Sequence, residues 1–311
     1  MIYTLTLNPA LDRTLIVENL SFEDTNKVSQ ELRYAGGKGI DVSRVINELG
    51  GESIALGFVG GYDGMELEGR LINEGITCDF TKIVEETRIN IFIKNEKGGE
   101  RTSLHAKGPE ISPSELAILY NKIKEIHPTP SWFVMSGSLP LGISNNIYAQ
   151  LTRLMKTRGA KVFLDSDGRP FKKGIEALPH AIKPNIFEIE RLRGKPFKTT
   201  KALITFGKKL LSKGIPFIMI SLGEKGILFL SEKENLQAIP PKVTVRSTVG
   251  AGDSSVAGFI FAYERGESIR NCLKMAVACG TATVLTPGTA LCRKKDVERI
   301  LKKCEVTRIH L

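Results

Sequence analysis

The sequence predicts an α/β chain built as three layers, α/β/α, around a mostly parallel central sheet, with a small β-sheet lid. Three observations carry this. From Ser112 to Ser221, short apolar runs alternate with helical periods, the rhythm of βαβ units with helices on both faces of a sheet. Polar and glycine residues follow the apolar runs directly, at the carboxyl ends of the predicted strands, where open α/β sheets bind ligands. Two segments near the front, Thr14 to Tyr34 and Thr87 to His105, break the rhythm and read as short antiparallel strands.

Taken in order, Ile2 to Leu7 reads as a strand ended by Asn8-Pro9, with Asp12 just beyond. Gly36-Gly37-Lys38-Gly39 opens an amphipathic helix over Asp41 to Leu49, closed by Gly50-Gly51. Ser53 to Val59 is a buried strand, and Gly64 to Asn73 a helix ended at Gly75. Ile89 to Lys94 and Glu100 to His105 flank Gly98-Gly99 as a hairpin. Helix Pro113 to Ile126 then precedes strand Trp132 to Ser136, helix Asn145 to Thr157 precedes strand Lys161 to Leu164, and helix Lys201 to Ser212 precedes strand Phe217 to Ser221. Three helices follow Gly252 and close the chain. No repeat or linker divides it, so a single domain over 1–311 is expected, with a lid contributed by about 14–34 and 87–105.

Composition narrows the function. The formal net charge is +10, but the basic residues are dispersed and no nucleic-acid motif or aromatic-interleaved arm is present. Steering of small phosphorylated molecules is the better use of that charge. Five cysteines without a C-x-x-C pair, and four scattered histidines, argue against a disulfide framework or a zinc site and for a reducing, cytoplasmic setting. The N-terminus is an alternating strand rather than a signal peptide, and no apolar run is long enough to span a membrane.

Chemistry concentrates in Ser247-Thr248-Val249-Gly250-Ala251-Gly252-Asp253-Ser254, followed by the apolar run Val256 to Tyr263. Glycines at a turn into a helix leave amides uncovered, and the helix N-terminus adds positive potential, so the turn suits a phosphate or a developing anion. Asp253 at that mouth is placed to accept a proton from a hydroxyl attacking phosphorus. The plainer reading is an N-capped tight turn.

These residues resemble the signatures of the ribokinase/PfkB carbohydrate kinases. Gly36-Gly37-Lys38-Gly39 and Thr248 to Asp253 look like its two motifs, with Thr6 to Asp12, Ser136 to Pro140, Lys183 to Glu188 and Ser221 to Gly223 falling in the expected order. The match covers essentially the whole chain and is similar to the phosphofructokinase branch, which holds 1-phosphofructokinase, minor 6-phosphofructokinase and tagatose-6-phosphate kinase.

The resemblance implies a ribokinase-like fold and transfer of the ATP γ-phosphoryl group to a hydroxyl of fructose 1-phosphate or fructose 6-phosphate. Asp253 would be the base, with Gly250, Ala251 and Gly252 presenting amides. Asn185 and Glu188, three apart at a helix start, would organise Mg²⁺. The bland alternative for them is a capping Asn with a surface Glu. Lys183 would reach a nucleotide phosphate, and Ser221, Gly223 and Gly226 would shape the nucleotide pocket, although Gly226 also reads as a turn.

On the sugar side, Asp12 would hold hydroxyls and Gly37 would let the sugar approach the backbone. Lys38 and Arg88 are the phosphate candidates, with Ser138 donating to the phosphate or to a hydroxyl. Lys27 would reach substrate across a homodimer interface formed by the lid, where the family more often has Arg. Asp41 stands where the family usually has Asn. It only accepts when ionised, so either Lys38 offsets it or the substrate sits differently. A K⁺ site beside Ser247 to Val249 and the segment before Gly288 to Cys292 is a further expectation. Tagatose-6-phosphate kinase, a kinase for a non-phosphorylated sugar or nucleoside, and a catalytically silent sugar-phosphate-binding regulator are the competing readings.

Overall fold

The computed structural model describes residues 1–99 and 101–309. The first third of the chain contains β1 (Ile2–Thr6), β2 (Ala10–Val17), β3 (Val28–Gly36), α1 (Lys38–Glu48), β4 (Ser53–Gly60), α2 (Gly61–Asn73), β5 (Thr77–Cys78), β6 (Thr81–Ile83), β7 (Arg88–Asn95) and β8 (Arg101–His105). The middle contains α3 (Pro113–Glu125), β9 (Trp132–Ser136), α4 (Ile147–Thr157), β10 (Lys161–Asp165), α5 (Gly168–Ile175), β11 (Ala181–Ile182), α6 (Ile186–Arg193) and α7 (Thr200–Leu211). The last third contains β12 (Phe217–Ser221), β13 (Ile227–Leu230), β14 (Asn235–Ile239), α8 (Ala251–Glu264), α9 (Ile269–Val284), α10 (Lys294–Leu301) and β15 (Glu305–Arg308).

The main sheet runs β15-β14-β13-β12-β11-β10-β9-β1-β4-β5, with β6 also pairing β4. From β12 to β5 every pairing is parallel, and β13, β14 and β15 add an antiparallel edge. Alternate side chains of the central strands go to opposite faces. Phe133 and Met135 join the apolar layer under α3 to α7, while Trp132 and Val134 join the layer under α1, α8, α9 and α10. Helix α8 lies so close to α9 that a Cβ on Gly258 would sit 2.7 Å from the Met275 carbonyl oxygen.

Two expectations need correction. The chain does not close on its helices: β15 follows α10 and pairs with β14. The lid strands are not all antiparallel. The small sheet has the order β3-β2-β7-β8, and its central pair, β2 and β7, is parallel. Both strands leave the same carboxyl edge of the main sheet, so they run outward together, and each returns through its own antiparallel partner. The lid also starts earlier than predicted, which places Asp12 on strand β2 rather than in a loop. Glu100, assigned to the hairpin from sequence, lies outside the described residues.

Candidate active site

The carboxyl ends of the central strands gather the charged residues. Asp165 ends β10, beside Ser136 of β9 in register, and is 1% exposed. Its two oxygens hold two lysines: Oδ1 accepts from Lys38 Nζ at 3.0 Å, and Oδ2 faces Lys183 Nζ at 3.1 Å. Lys38 starts α1, Lys183 directly follows β11, and Glu188 Oε1 lies 3.9 Å from Lys38 Nζ. Asp165 was visible in the sequence only as a residue beyond a strand, and it carried no assigned role. The structure makes it the hub of this cluster.

Asn185 and Glu188 form a reciprocal capping box on α6. Glu188 N donates to Asn185 Oδ1 at 2.9 Å, and Asn185 N donates to Glu188 Oε2 at 2.8 Å. The cap explains the spacing of the pair. It does not explain why Glu188 is buried and aimed at Lys38. Ser221, at the end of β12, bridges to Asn185 and donates its amide to Pro184 O at 3.0 Å. Gly223 opens the turn that follows, and Gly226 ends it. At Gly226 φ is +82°, and a Cβ would lie 1.9 Å from the Ala238 carbonyl oxygen, so the turn by itself demands glycine.

Gly250 caps α8 in the left-handed region at φ +75°, where a Cβ would meet Leu291 Cδ2 at 2.5 Å. The chain thereby enters α8 sharply, with first-turn amides that have no helical acceptors. Ala251 N turns to Thr248 O at 3.4 Å, which leaves the mouth of the helix to Gly252 and Asp253. A Cβ on Gly252 would come within 3.1 Å of Lys183 Nζ, so this glycine brings open backbone up to the lysine.

The electrostatics follow from burial among these charges. Burial pushes the Asp253 carboxyl up to about 6, with Asp165 and Glu188 adding to the rise and Lys38 and Lys183 opposing it. Burial works against charge on Lys38, but Asp165, Asp253 and Glu188 overcome it and raise its pKa. Burial also opposes ionisation of Asp165, and the two lysines win, holding its pKa below the usual carboxylate value. Glu188 is raised, mainly by burial.

A second group lines the lid. Burial pushes Asp12 up to about 6, against a hydrogen bond from Asn90 and the charges of Arg88 and Arg44. Its carboxylate packs on Gly36, where a Cβ would lie 2.5 Å from Oδ2. Gly37 caps the N-terminus of α1 at φ +129°, and a Cβ there would lie 2.7 Å from Thr6 Cγ2. Arg88 donates to the carbonyls of Ala106 at 2.7 Å and Asn8 at 2.9 Å. Asn8 Nδ2 lies 3.4 Å from the exposed Ser138 Oγ. Arg88 and Lys38 thus take different partners in this structure: Arg88 the carbonyls of Asn8 and Ala106, Lys38 the carboxylate of Asp165.

Asp41 joins the two groups. Burial raises its carboxyl well above the usual value, with Asp253 and Asp12 adding to the rise, although Arg44 Nη1 stands 3.5 Å away. Arg44, which the sequence reading missed, is held by Glu74 at 2.8 Å. Lys27 is exposed immediately before β3 and is not brought into either group.

The donor set suits a magnesium nucleotide: two lysines, an open glycine backbone at a helix N-terminus and a buried glutamate with one oxygen outside its cap. Among the described residues no three His, Cys, Asp or Glu side chains group as a metal cage. A hard cation beside Glu188 would take most of its ligands from water and phosphate.

Residues 6–296 match the model of the pfkB family carbohydrate kinases. The chain belongs to this family. It is 39% identical to a 1-phosphofructokinase of Borreliella burgdorferi, over 100% of this chain and 99% of that protein. It is 33% identical to a tagatose-6-phosphate kinase of Staphylococcus epidermidis, over 99% of this chain and 100% of that protein. Its fold superposes on phosphofructokinase-2 of Escherichia coli, solved in complex with potassium, with a TM-score of 0.93 at 29% identity, covering 97% of this chain and 98% of that one. No helix among the described residues is long and apolar enough to cross a membrane.

Proposed function

We propose that this kinase is a 1-phosphofructokinase, transferring a phosphoryl group from Mg-ATP to the free primary hydroxyl of fructose 1-phosphate. The observation that carries the reading is Asp253, buried at the glycine mouth of α8 and facing a cluster of two lysines, Asp165 and Glu188. When bound, ATP supplies the phosphoryl group and Mg²⁺ neutralises its charge. Every other task falls to the chain.

Asp253 accepts the proton of the attacking hydroxyl. With a pKa near 6 it is ionised at neutral pH yet more basic than a solvated carboxylate. Gly250 and Gly252 keep the helix mouth open, and Lys38 and Lys183, held apart by Asp165, set two positive charges around it. Asn185 and Glu188 supply the metal side, and Ser221 with the turn from Gly223 supports the nucleotide. Asp12 and Asp41 take sugar hydroxyls over Gly37, while Arg88 and Ser138 serve the phosphate end of the sugar. A monovalent cation beside Ser247, whose Oγ donates to Gly288 O at 2.6 Å, and a second copy of the chain pairing through the exposed strands β3 and β8 belong to the same reading.

Tagatose 6-phosphate is the second substrate reading, favoured by the full-length similarity to tagatose-6-phosphate kinase. The test is ADP release from Mg-ATP with fructose 1-phosphate, fructose 6-phosphate, tagatose 6-phosphate and free fructose, with and without K⁺. Turnover confined to free fructose would overturn the phosphosugar assignment. Phosphosugar binding without ADP release would favour the silent regulator.

A further inference from the structure

The carbonyl of Gly137, just past β9, is gripped by two hydroxyls from different elements. Tyr148 on α4 donates its Oη at 3.1 Å, and Ser166, which follows β10, donates its Oγ at 2.9 Å. Both side chains are buried. Gly137 lies outside the strand at φ +98°, so side-chain donors rather than a sheet ladder fix its carbonyl. The Gly137–Ser138 bond is trans, and in a trans peptide the N–H points opposite to the C=O. With the Gly137 oxygen drawn to the buried hydroxyls, the Ser138 N–H is turned away from them. Among the described residues it meets no protein acceptor. Ser138 is exposed, its Oγ lies 3.4 Å from Asn8 Nδ2, and a Cβ on Gly137 would lie 3.9 Å from Lys38 Cβ. Asn8 in turn gives its carbonyl to Arg88. The unpaired amide thus sits beside the start of α1, which carries Lys38, and beside the residue that holds Arg88.

We infer that Tyr148 is a positioning residue for the sugar phosphate, acting with Ser166 through the Gly137 carbonyl to hold the Ser138 main-chain amide outward as an anion donor. The inference rests on the sugar-phosphate reading above and deepens it. A phosphate gains most from a donor whose direction is set before it arrives, because the cost of ordering that donor has already been met by the fold. One hydroxyl leaves a loop peptide room to swivel, whereas two, reaching from α4 and from the end of β10, fix its plane. The Tyr148 phenol has one proton to give, and Gly137 O at 3.1 Å is nearer than Ser136 O at 3.4 Å. Burial raises the pKa of this phenol, so it keeps its proton and remains a donor at neutral pH.

The test measures kcat and both KM values in Tyr148→Phe, Ser166→Ala and the double variant. Loss of a hydrogen bond to a charged group should raise KM for fructose 1-phosphate about tenfold in the double variant and by less in each single one, with kcat and KM for ATP within about twofold of the wild type. An unchanged KM for fructose 1-phosphate in the double variant would overturn the proposal. So would a rise of both KM values by the same factor, which is what a role in packing alone produces. If the variants fail to fold, the wild type still decides by NMR of isotope-labelled protein. Fructose 1-phosphate should shift the Ser138 amide proton, and an amide proton that it leaves unmoved would overturn the proposal. A wild type that turns over no hexose phosphate overturns the substrate reading itself, an outcome distinct from an unchanged KM in an active enzyme.

Discussion

Replacing Asp165 by Asn removes the one charge that separates Lys38 from Lys183. The two lysines are not equivalent. The Lys183 side chain is 5% exposed, whereas that of Lys38 is 36% exposed and keeps Glu188 at 3.9 Å. The cost therefore falls mainly on Lys183. Removing one partner of a buried ion pair destabilises by about 3–5 kcal/mol, and the Asn oxygen still accepts from one lysine, so the low end, about 3 kcal/mol, applies. For a chain of this size that lowers Tm by roughly 5 °C.

The folded pKa of Asp165 is depressed, so its contribution is present above the unfolded carboxylate pKa and is lost as pH falls through the folded value. The wild-type and variant Tm values should therefore differ at neutral pH and converge in acid. The freed lysines also attract polyanions more strongly, so inorganic tripolyphosphate should raise the Tm of the variant more than that of the wild type. The assay is thermal unfolding between pH 3 and 8, with and without tripolyphosphate. A variant melting within 1 °C of the wild type at pH 7, or gaining no more from the polyanion, would refute the reasoning that one buried carboxylate organises both lysines.

Asp253→Asn should lower kcat by about 10²–10⁴ with little change in KM, and the wild-type kcat should fall below about pH 6 as Asp253 takes up a proton. Unchanged kcat in the variant would remove Asp253 from the base role. Asp41 keeps its proton to higher pH than a solvated carboxylate, and once ionised it repels the anionic substrate, so the wild-type KM for the sugar phosphate should rise with pH as that proton leaves, whereas Asp41→Asn should remove that rise. A flat wild-type profile would count against contact between Asp41 and the sugar. Gly226→Ala should cost about 2 kcal/mol or more from the positive φ and the approach to Ala238 O, with KM for ATP unchanged in whatever fraction folds. A KM effect in a fully stable variant would place Gly226 in the nucleotide pocket instead.

Much of the fold was legible because its signals are local. Strands Trp132–Ser136 and Phe217–Ser221 were read with their observed bounds, as short apolar runs that a sheet covered on both faces requires. Short elements escaped: β11 has two residues and α5 has eight. The parallel pairing of β2 with β7 was also out of reach, since no local pattern records which hairpin lies beside which. In the site, Asp253 and the glycines announced themselves through a turn that only small residues can make. Asp165 did not, because an Asp after a strand is unremarkable until its neighbours are known.

The sequence alone determined the layered α/β architecture, the phosphate-friendly turn into α8 and the family, since each rests on residue types repeated at short spacings. Tertiary structure decided what those residues are to one another. It paired Lys38 with Asp165, converted a surface-looking Glu188 into a buried carboxylate, and drew Asp12 and Asp253 close enough to Asp41 to raise its carboxyl. Charges separated by tens or hundreds of residues interact strongly only when folding brings them within a few ångströms and excludes the water between them.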